Sequence, residues 1–190
     1  YVAAGTLDAA IVELDTNGGV VSLNGIGASA QQTVVTQIDI DSSGDTYYAG
    51  TFGGTISSGG WTATATYGGN DVFVARSAVS TSNSWAFVSG SSAEDEPWTL
   101  AVTSNGLVTY GGYFATAFTA GSTTLSPSNH DGYVIGLSST GSLDWAERVG
   151  GSQYDYVWSM SVNMSDYIGI GGSYSGSMTH EGSTLTSTGG

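Results

Sequence analysis

The chain has 190 residues, 30 of them Gly, with 39% apolar residues, 5 Trp, 11 Tyr and no Cys. Sixteen acids face only Arg76 and Arg148, giving a net charge of −14, which repels phosphate backbones and anionic lipid head groups and argues against nucleic acid and membrane surfaces as partners. Zero Cys excludes disulfides, thiolate metal sites and Cys nucleophiles.

The residue mixture, poor in Glu, Lys and Arg and rich in Gly, Thr, Ser, Tyr and Val, favours strands and turns over helices. No apolar run approaches the roughly 20 residues that span a bilayer. The chain opens at Tyr1 with neither a Met nor a signal peptide, and is read as a processed or excised piece. Its first residues, YVAAGT, resemble YYAGT at 47–51, which predicts that residues 1–7 are a strand left over from a preceding unit.

From Asp8 onward the sequence repeats. Asp8, Asp71 and Asp131 begin three similar stretches, DAAIVEL, DVFVARS and DGYVIGL, spaced by about 60 residues. Trp85 and Trp145 hold matching places in SWAFVSG and DWAERVG, where the first copy has Leu23 in SLNGIG. PWTLAV at 97–102 matches VWSMSV at 157–162, with TQIDI at 36–40 as a looser first copy. GDTYYAGTF at 44–52 matches GLVTYGGYF at 106–114 and DYIGIGGSY at 166–174, and each copy closes on a Gly/Ser/Thr-rich run. These pieces are short runs of β-branched and aromatic residues bounded by Gly and Ser punctuation, and none has a sustained helical period. The expectation is all-β: a single repeat array over 1–190 of three four-stranded antiparallel units of about 60 residues, at 8–70, 71–130 and 131–190. A lone four-stranded sheet leaves one face wet, so each unit needs another like it to cover its apolar face.

The pattern D-x-F-V-A, then W-A, G-G, and I-A-V-x-x-x-G-x-x-Y-x-x-G, resembles the bacterial and archaeal seven-bladed β-propeller repeat family, the SBBP repeats. The resemblance is carried by Asp71 to Ala75, Trp85, Ala86, Gly90, Leu100 to Val102, Gly106, Tyr110 and Gly112, and is weaker in the first copy, which lacks the Trp. It implies propeller-type blades in a secreted or cell-surface protein, and it brings no catalytic motif. Three units fall short of the four to eight blades that usually close a propeller, so an incomplete propeller or an open stack of blades is expected, joined by copies of the same chain or by further blades of a longer protein.

Candidate chemistry is sparse. Asp39, Asp41 and Asp45 in IDIDSSGDTYY resemble half of a calcium loop without its closing Glu, and are the candidate metal ligands. Glu94, Asp95 and Glu96 form an acidic loop. The recurring Asp8, Asp71 and Asp131 fit Asx-turn caps, and Trp85 and Trp145 fit packing between units. Trp61 and Trp98 are the candidates for ligand contact. His130 and His180 are the two histidines, and no nucleophile elbow, phosphate loop or HExxH pattern occurs. No cofactor is expected apart from a candidate Ca. The reading is a non-enzymatic, self-associating structural protein of the cell surface, in a filament or surface layer. The alternative is a module of a larger secreted protein that binds a glycan, a protein or a cation.

Overall fold

The computed structural model describes residues 7–28, 31–79, 83–163, 165–180 and 182–188, so the strand expected at 1–7 lies, Leu7 apart, outside the described residues. Within them there is no α-helix. The strands are β1 (Ala9–Leu14), β2 (Val20–Ala28), β3 (Thr33–Ile40), β4 (Thr46–Phe52), β5 (Thr55–Ser58), β6 (Trp61–Thr64), β7 (Asp71–Ser77), β8 (Trp85–Gly90) and β9 (Glu96–Val102). They continue with β10 (Val108–Phe114), β11 (Phe118–Ala120), β12 (Thr123–Leu125), β13 (Asp131–Leu137), β14 (Leu143–Val149), β15 (Asp155–Val162), β16 (Ile168–Tyr174), β17 (Ser177–His180) and β18 (Ser183–Thr186).

The sheets are antiparallel and none closes on itself, but they are not the three four-stranded units expected. Sheet I is β1-β2-β5-β6, sheet II is β3-β4-β7-β8-β11-β12 and sheet III is β9-β10-β13-β14; β15-β16 and β17-β18 are two-stranded. The phase differs from the sequence repeat. Asp71 and Asp131 do not begin a sheet; they begin its third strand, after the LAV-type and Tyr/Gly-type strands. The hairpin β5-β6 leaves the chain between β4 and β7 and extends sheet I through Gly27↔Ser57 and Ala28↔Ile56. Sixty residues on, β11-β12 leaves between β10 and β13 and extends sheet II through Thr119↔Gly90 and Ala120↔Ser89. Each of these two sheets is therefore finished by a hairpin from the next repeat, and a boundary drawn at Asp71 or Asp131 cuts a sheet in half. A further shift concerns the first copy: the residue paired like Trp85 and Trp145 is Ser22, opposite Glu13, and Leu23 lies one place on, opposite Val12. A register step of one residue turns a side chain to the other face, so Leu23 does not stand in for the Trp.

Central strands have both faces covered, and read as nearly continuous apolar runs: VFVA in β7 and YVI in β13 are fully buried. One core lies between sheets I and II, formed by Ile11, Ile26, Ile56 and Trp61 against Tyr48, Phe52, Phe73 and Ala75. A second lies between sheets II and III, with Tyr47, Val72, Val74 and Phe118 against Leu100, Tyr110, Tyr133 and Ile135. The β15-β16 pair sits on the far face of sheet III, where Val157 fills the space above Gly111 and Gly132. Trp85 packs between units as expected: its ring lies over Gly141 and its indole N–H donates to the Ser139 carbonyl of sheet III at 3.1 Å.

Candidate functional site

The feature that recurs and projects side chains sideways is a β-bulge between the first two strands of each meander. The register of β3 on β4 steps between Val35 and Gln37, that of β9 on β10 between Pro97 and Thr99, and that of β15 on β16 between Val157 and Ser159. The unpaired residues are Thr36, Trp98 and Trp158. Opposite each stands a glycine that nothing larger could replace. A Cβ on Gly50, Gly112 or Gly172 would come within 1.8, 1.8 and 2.1 Å of the carbonyl oxygens of Val34, Glu96 and Tyr156. The bulge re-aims its extra residue along the stack of sheets. Thr36 thus donates to the Pro97 carbonyl at 2.7 Å, and Trp98 stacks on Trp158 with centroids 4.3 Å apart and planes 7° from parallel.

Around this stack gathers an aromatic ladder. Tyr113 lies 4.6 Å and Tyr156 5.7 Å from the Trp98 ring, and His130 stacks between Tyr113 at 6.1 Å and Tyr154 at 5.0 Å. The indole N–H of Trp98 donates to Glu96 Oε2 and that of Trp158 to Ser173 Oγ, each at 2.8 Å. Trp158 is 52% exposed. Trp98 was singled out from the sequence; Trp158, Tyr113, Tyr154, Tyr156 and His130 were not. The signal for Trp158 was available, because PWTLAV and VWSMSV place the two tryptophans at the same repeat position.

Trp61, the other aromatic candidate, is a core residue. It is buried between sheets I and II, its indole N–H donates to Tyr48 Oη at 3.1 Å, and its ring lies 6.1 Å from Phe73.

The structure gives Asp39, Asp41 and Asp45 three separate tasks. Asp39 Oδ2 accepts the Val102 N–H at 3.1 Å and ties sheet II to sheet III. Asp41 caps its own turn: Oδ1 accepts the N–H groups of Ser43 and Asp45 at 2.8 and 3.0 Å, and Oδ2 accepts the Tyr47 hydroxyl at 3.1 Å. The same cap is made by Thr103, which accepts the Leu107 N–H, and by Asn163, which accepts those of Ser165 and Tyr167, so the position selects a short polar side chain for the turn. Asp45 is buried against Arg76, whose Nε donates to Oδ2 at 3.2 Å, while the Val79 N–H donates to Oδ1 at 2.7 Å. Burial pushes the Asp45 carboxyl up, but the bonds from Arg76 and Val79 outweigh it and hold the group below the usual range. Among the described residues no three His, Asp or Glu side chains form a group that could hold a metal ion.

Of the acidic loop, Glu94 is exposed and Asp95 is buried. Asp95 accepts the Ser91 N–H at 2.6 Å and the Ser91 hydroxyl at 2.9 Å; burial pushes its carboxyl up to about 7, against the pull of those bonds and with the help of the Asp71 charge. Asp155 repeats the arrangement, accepting from Gly151 and Ser175. Asp71 and Asp131 close the turns before their strands: Asp71 accepts the N–H groups of Thr66 and Tyr67, and Asp131 accepts that of Ser128 together with Arg148 Nη1 at 2.7 Å. A scan against protein-family models returned no match for this chain, and a search of curated proteins returned none either.

Proposed function

We propose that the chain is a non-enzymatic, self-associating structural protein of the cell surface, built of propeller-type repeats and working as the unit of a filament or surface layer. The observation that carries this reading is that the recurring residues are engaged in building. The Asp71, Asp95, Asp131 and Asp155 carboxylates close turns, the Gly50, Gly112 and Gly172 series permits bulges, and the bulged residues link one sheet to the next. The candidate residues Asp39, Asp41, Asp45 and Trp61 have the same kind of role. Strand edges without Lys invite pairing where a Lys would blunt it, and the acidic excess keeps the assembled material soluble through repulsion outside the contacts. Placement outside the cell and the name of the repeat rest on the resemblance to the propeller-repeat motif. Light scattering on the native material tests the reading: a mass that is a multiple of 19.2 kDa and grows with concentration supports it, and a strict monomer overturns it.

A second reading is favoured by one observation, the half-exposed ring of Trp158 stacked on Trp98. An exposed flat indole suits the apolar face of a sugar ring. A glycan array separates the two readings, since binding that is lost in Trp158→Ala by a monomeric protein would establish the module in place of the building unit.

A further inference from the structure

Two sheets of this chain are unfinished in complementary ways. The β15-β16 pair supplies only the first two strand types of the meander, and sheet I supplies only the last two, with the hairpin β5-β6 behind them. In sheet II all six strand types lie together, and β4 joins β7 from Thr46↔Ser77 to Phe52↔Asp71. Sheet III repeats that junction from Val108↔Leu137 to Phe114↔Asp131. By sequence position β16 is the counterpart of β4 and β10, and residues 8–14 are the counterpart of β7 and β13. Among the described residues, no strand is paired with the outer edge of β16 or of β1.

The side chains at both ends agree with this. Val12 (47% exposed), Leu14, Val20 and Leu23 turn an apolar face of sheet I to solvent. Their counterparts in sheet III, Ile135, Leu137, Leu143 and Ala146, belong to or pack on the core against sheet II. At the other end Ile170, also 47% exposed, is the counterpart of buried Tyr48 and Tyr110, and exposed Leu185 of buried Leu125. Trp145 is 39% exposed, whereas its counterpart Trp85 covers Gly141 of the following turn. Gly18 occupies the place of Gly141 in sheet I, and a Cβ there would meet nothing within 4 Å.

Resting on the self-association read above and naming its contact, we propose that β16 of one copy pairs antiparallel with β1 of a second copy, in the register Ile168↔Leu14 to Ser173↔Ala9. The two-stranded and four-stranded remnants then complete one sheet of the sheet II kind. The Trp145 ring and the β17-β18 hairpin of the first copy cover the exposed face of sheet I in the second, as Trp85 and β11-β12 cover sheet III within one chain. The occupant is a second copy because the two strand types that sheet I lacks among the described residues stand in β15 and β16 at the opposite end of the same chain, where Ile170 is uncovered as Val12 is in sheet I. The contact is head-to-tail and heterologous, so it repeats into a ring or a filament.

Because the chain has no Cys, engineered cysteines report the joint directly. Facing residues on paired strands lie within disulfide reach, and residues three places out of register do not. Mixing V12C with I170C under mild oxidation is expected to give a disulfide-linked dimer, whereas V12C with S173C gives none. Ile170→Lys, which places a charge on the open edge, is expected to abolish association with the far-UV circular dichroism unchanged. Added salt is expected to strengthen association by screening the −14 charge of each copy. Association that persists without the V12C–I170C link overturns this joint and leaves the self-association reading standing. A V12C/I170C double variant that links within a monomer overturns the second copy as occupant. A monomer at every salt and protein concentration overturns both.

Discussion

Gly112→Ala tests whether the bulge is what orders the aromatic ladder. The new Cβ would stand 1.8 Å from the Glu96 oxygen, 2.9 Å from its carbon and 3.2 Å from the Pro97 Cα. Observed Cβ contacts stay above 3.0 Å, so the β9 backbone must withdraw by more than an ångström. Backbone atoms cannot swing aside as a flexible side chain would, and the withdrawal breaks the pairing Gly112↔Pro97 and Tyr113↔Glu96. Two ladder hydrogen bonds contribute about 1 kcal/mol each, and the displaced Trp98 loses about 1–3 kcal/mol of stacking and burial, for a total of about 3–5 kcal/mol. That is a large part of the roughly 5–15 kcal/mol by which a domain is stable, and lowers the melting temperature by about 10 °C at this chain length. Gly169→Ala is the control, since its Cβ would meet only the Ser161 oxygen at 3.9 Å and Ala suits a strand interior better by about 0.5–1 kcal/mol. Urea unfolding followed by tryptophan fluorescence, with near-UV circular dichroism for the Trp98–Trp158 stack, measures both variants. Equal stability of the two variants, or a Gly112→Ala protein with an unchanged near-UV spectrum, would refute the argument.

Two further substitutions separate buried charges from surface ones. Arg76→Gln strands the buried Asp45 carboxylate with only the Val79 N–H as partner, and is expected to cost about 3 kcal/mol; adding Asp45→Asn restores most of it, and a loss below about 1 kcal/mol in the single variant would show a solvated pair. Asp95 gives a pH effect of defined sign: its carboxyl titrates at about 7 in the fold and near 3.8 when unfolded, so the native state holds the extra proton between those values. Stability therefore falls as pH rises through that window, by up to about 4 kcal/mol. Asp95→Asn is expected to flatten this part of the melting-temperature profile between pH 4 and 7 while the general repulsion of the acidic surface persists, and an unaltered slope would contradict it.

The strands of this fold are legible in its sequence, and their partners are not. Runs such as DVFVARS and LVTYGGYF carry β-branched and aromatic residues between Gly and Ser punctuation, and each is a strand with the expected neighbours on the chain. What a repeat cannot reveal is its phase. β7 follows the Tyr/Gly strand and precedes the Trp strand, and a circular shift of the unit leaves the pattern unchanged, so nothing local says where a sheet begins. The hairpins β5-β6 and β11-β12 hide the phase further, because they are short and pair with the preceding sheet, not with the strands that flank them on the chain. Trp61 and Trp98 show the same limit at the level of a side chain. Trp61 follows Gly60 and Trp98 follows Pro97, yet Trp61 enters a core because its hairpin extends sheet I, and Trp98 is left unpaired between the strands because Gly112 lets the backbone bulge. In the Asp39–Asp45 run, the spacing that suggests a cation loop is the spacing of a turn cap, and only the partner atoms distinguish the two.

Comparing the two carboxylates that open β7 and β13 shows which part of the repeat is structural necessity. Gly90, which ends β8, and Gly150, which follows β14, lie so close to Asp71 and Asp131 that a Cβ would come within 2.9 and 2.5 Å of their Oδ1 atoms, and Gly27 stands likewise beside Asp8. The Asp and the Gly are thus one unit, the acid reaching across a position kept bare for it. Charge compensation is not part of the unit. Asp131 has Arg148 from the neighbouring strand, where Tyr133 pairs with it, but the matching pair in sheet II is Phe73↔Val88, and no cation reaches Asp71 from that place. Burial therefore pushes the Asp71 carboxyl up, with the Tyr67 and Thr66 N–H groups opposing it. The repeat preserves the shape of the turn and leaves its electrostatics to each copy.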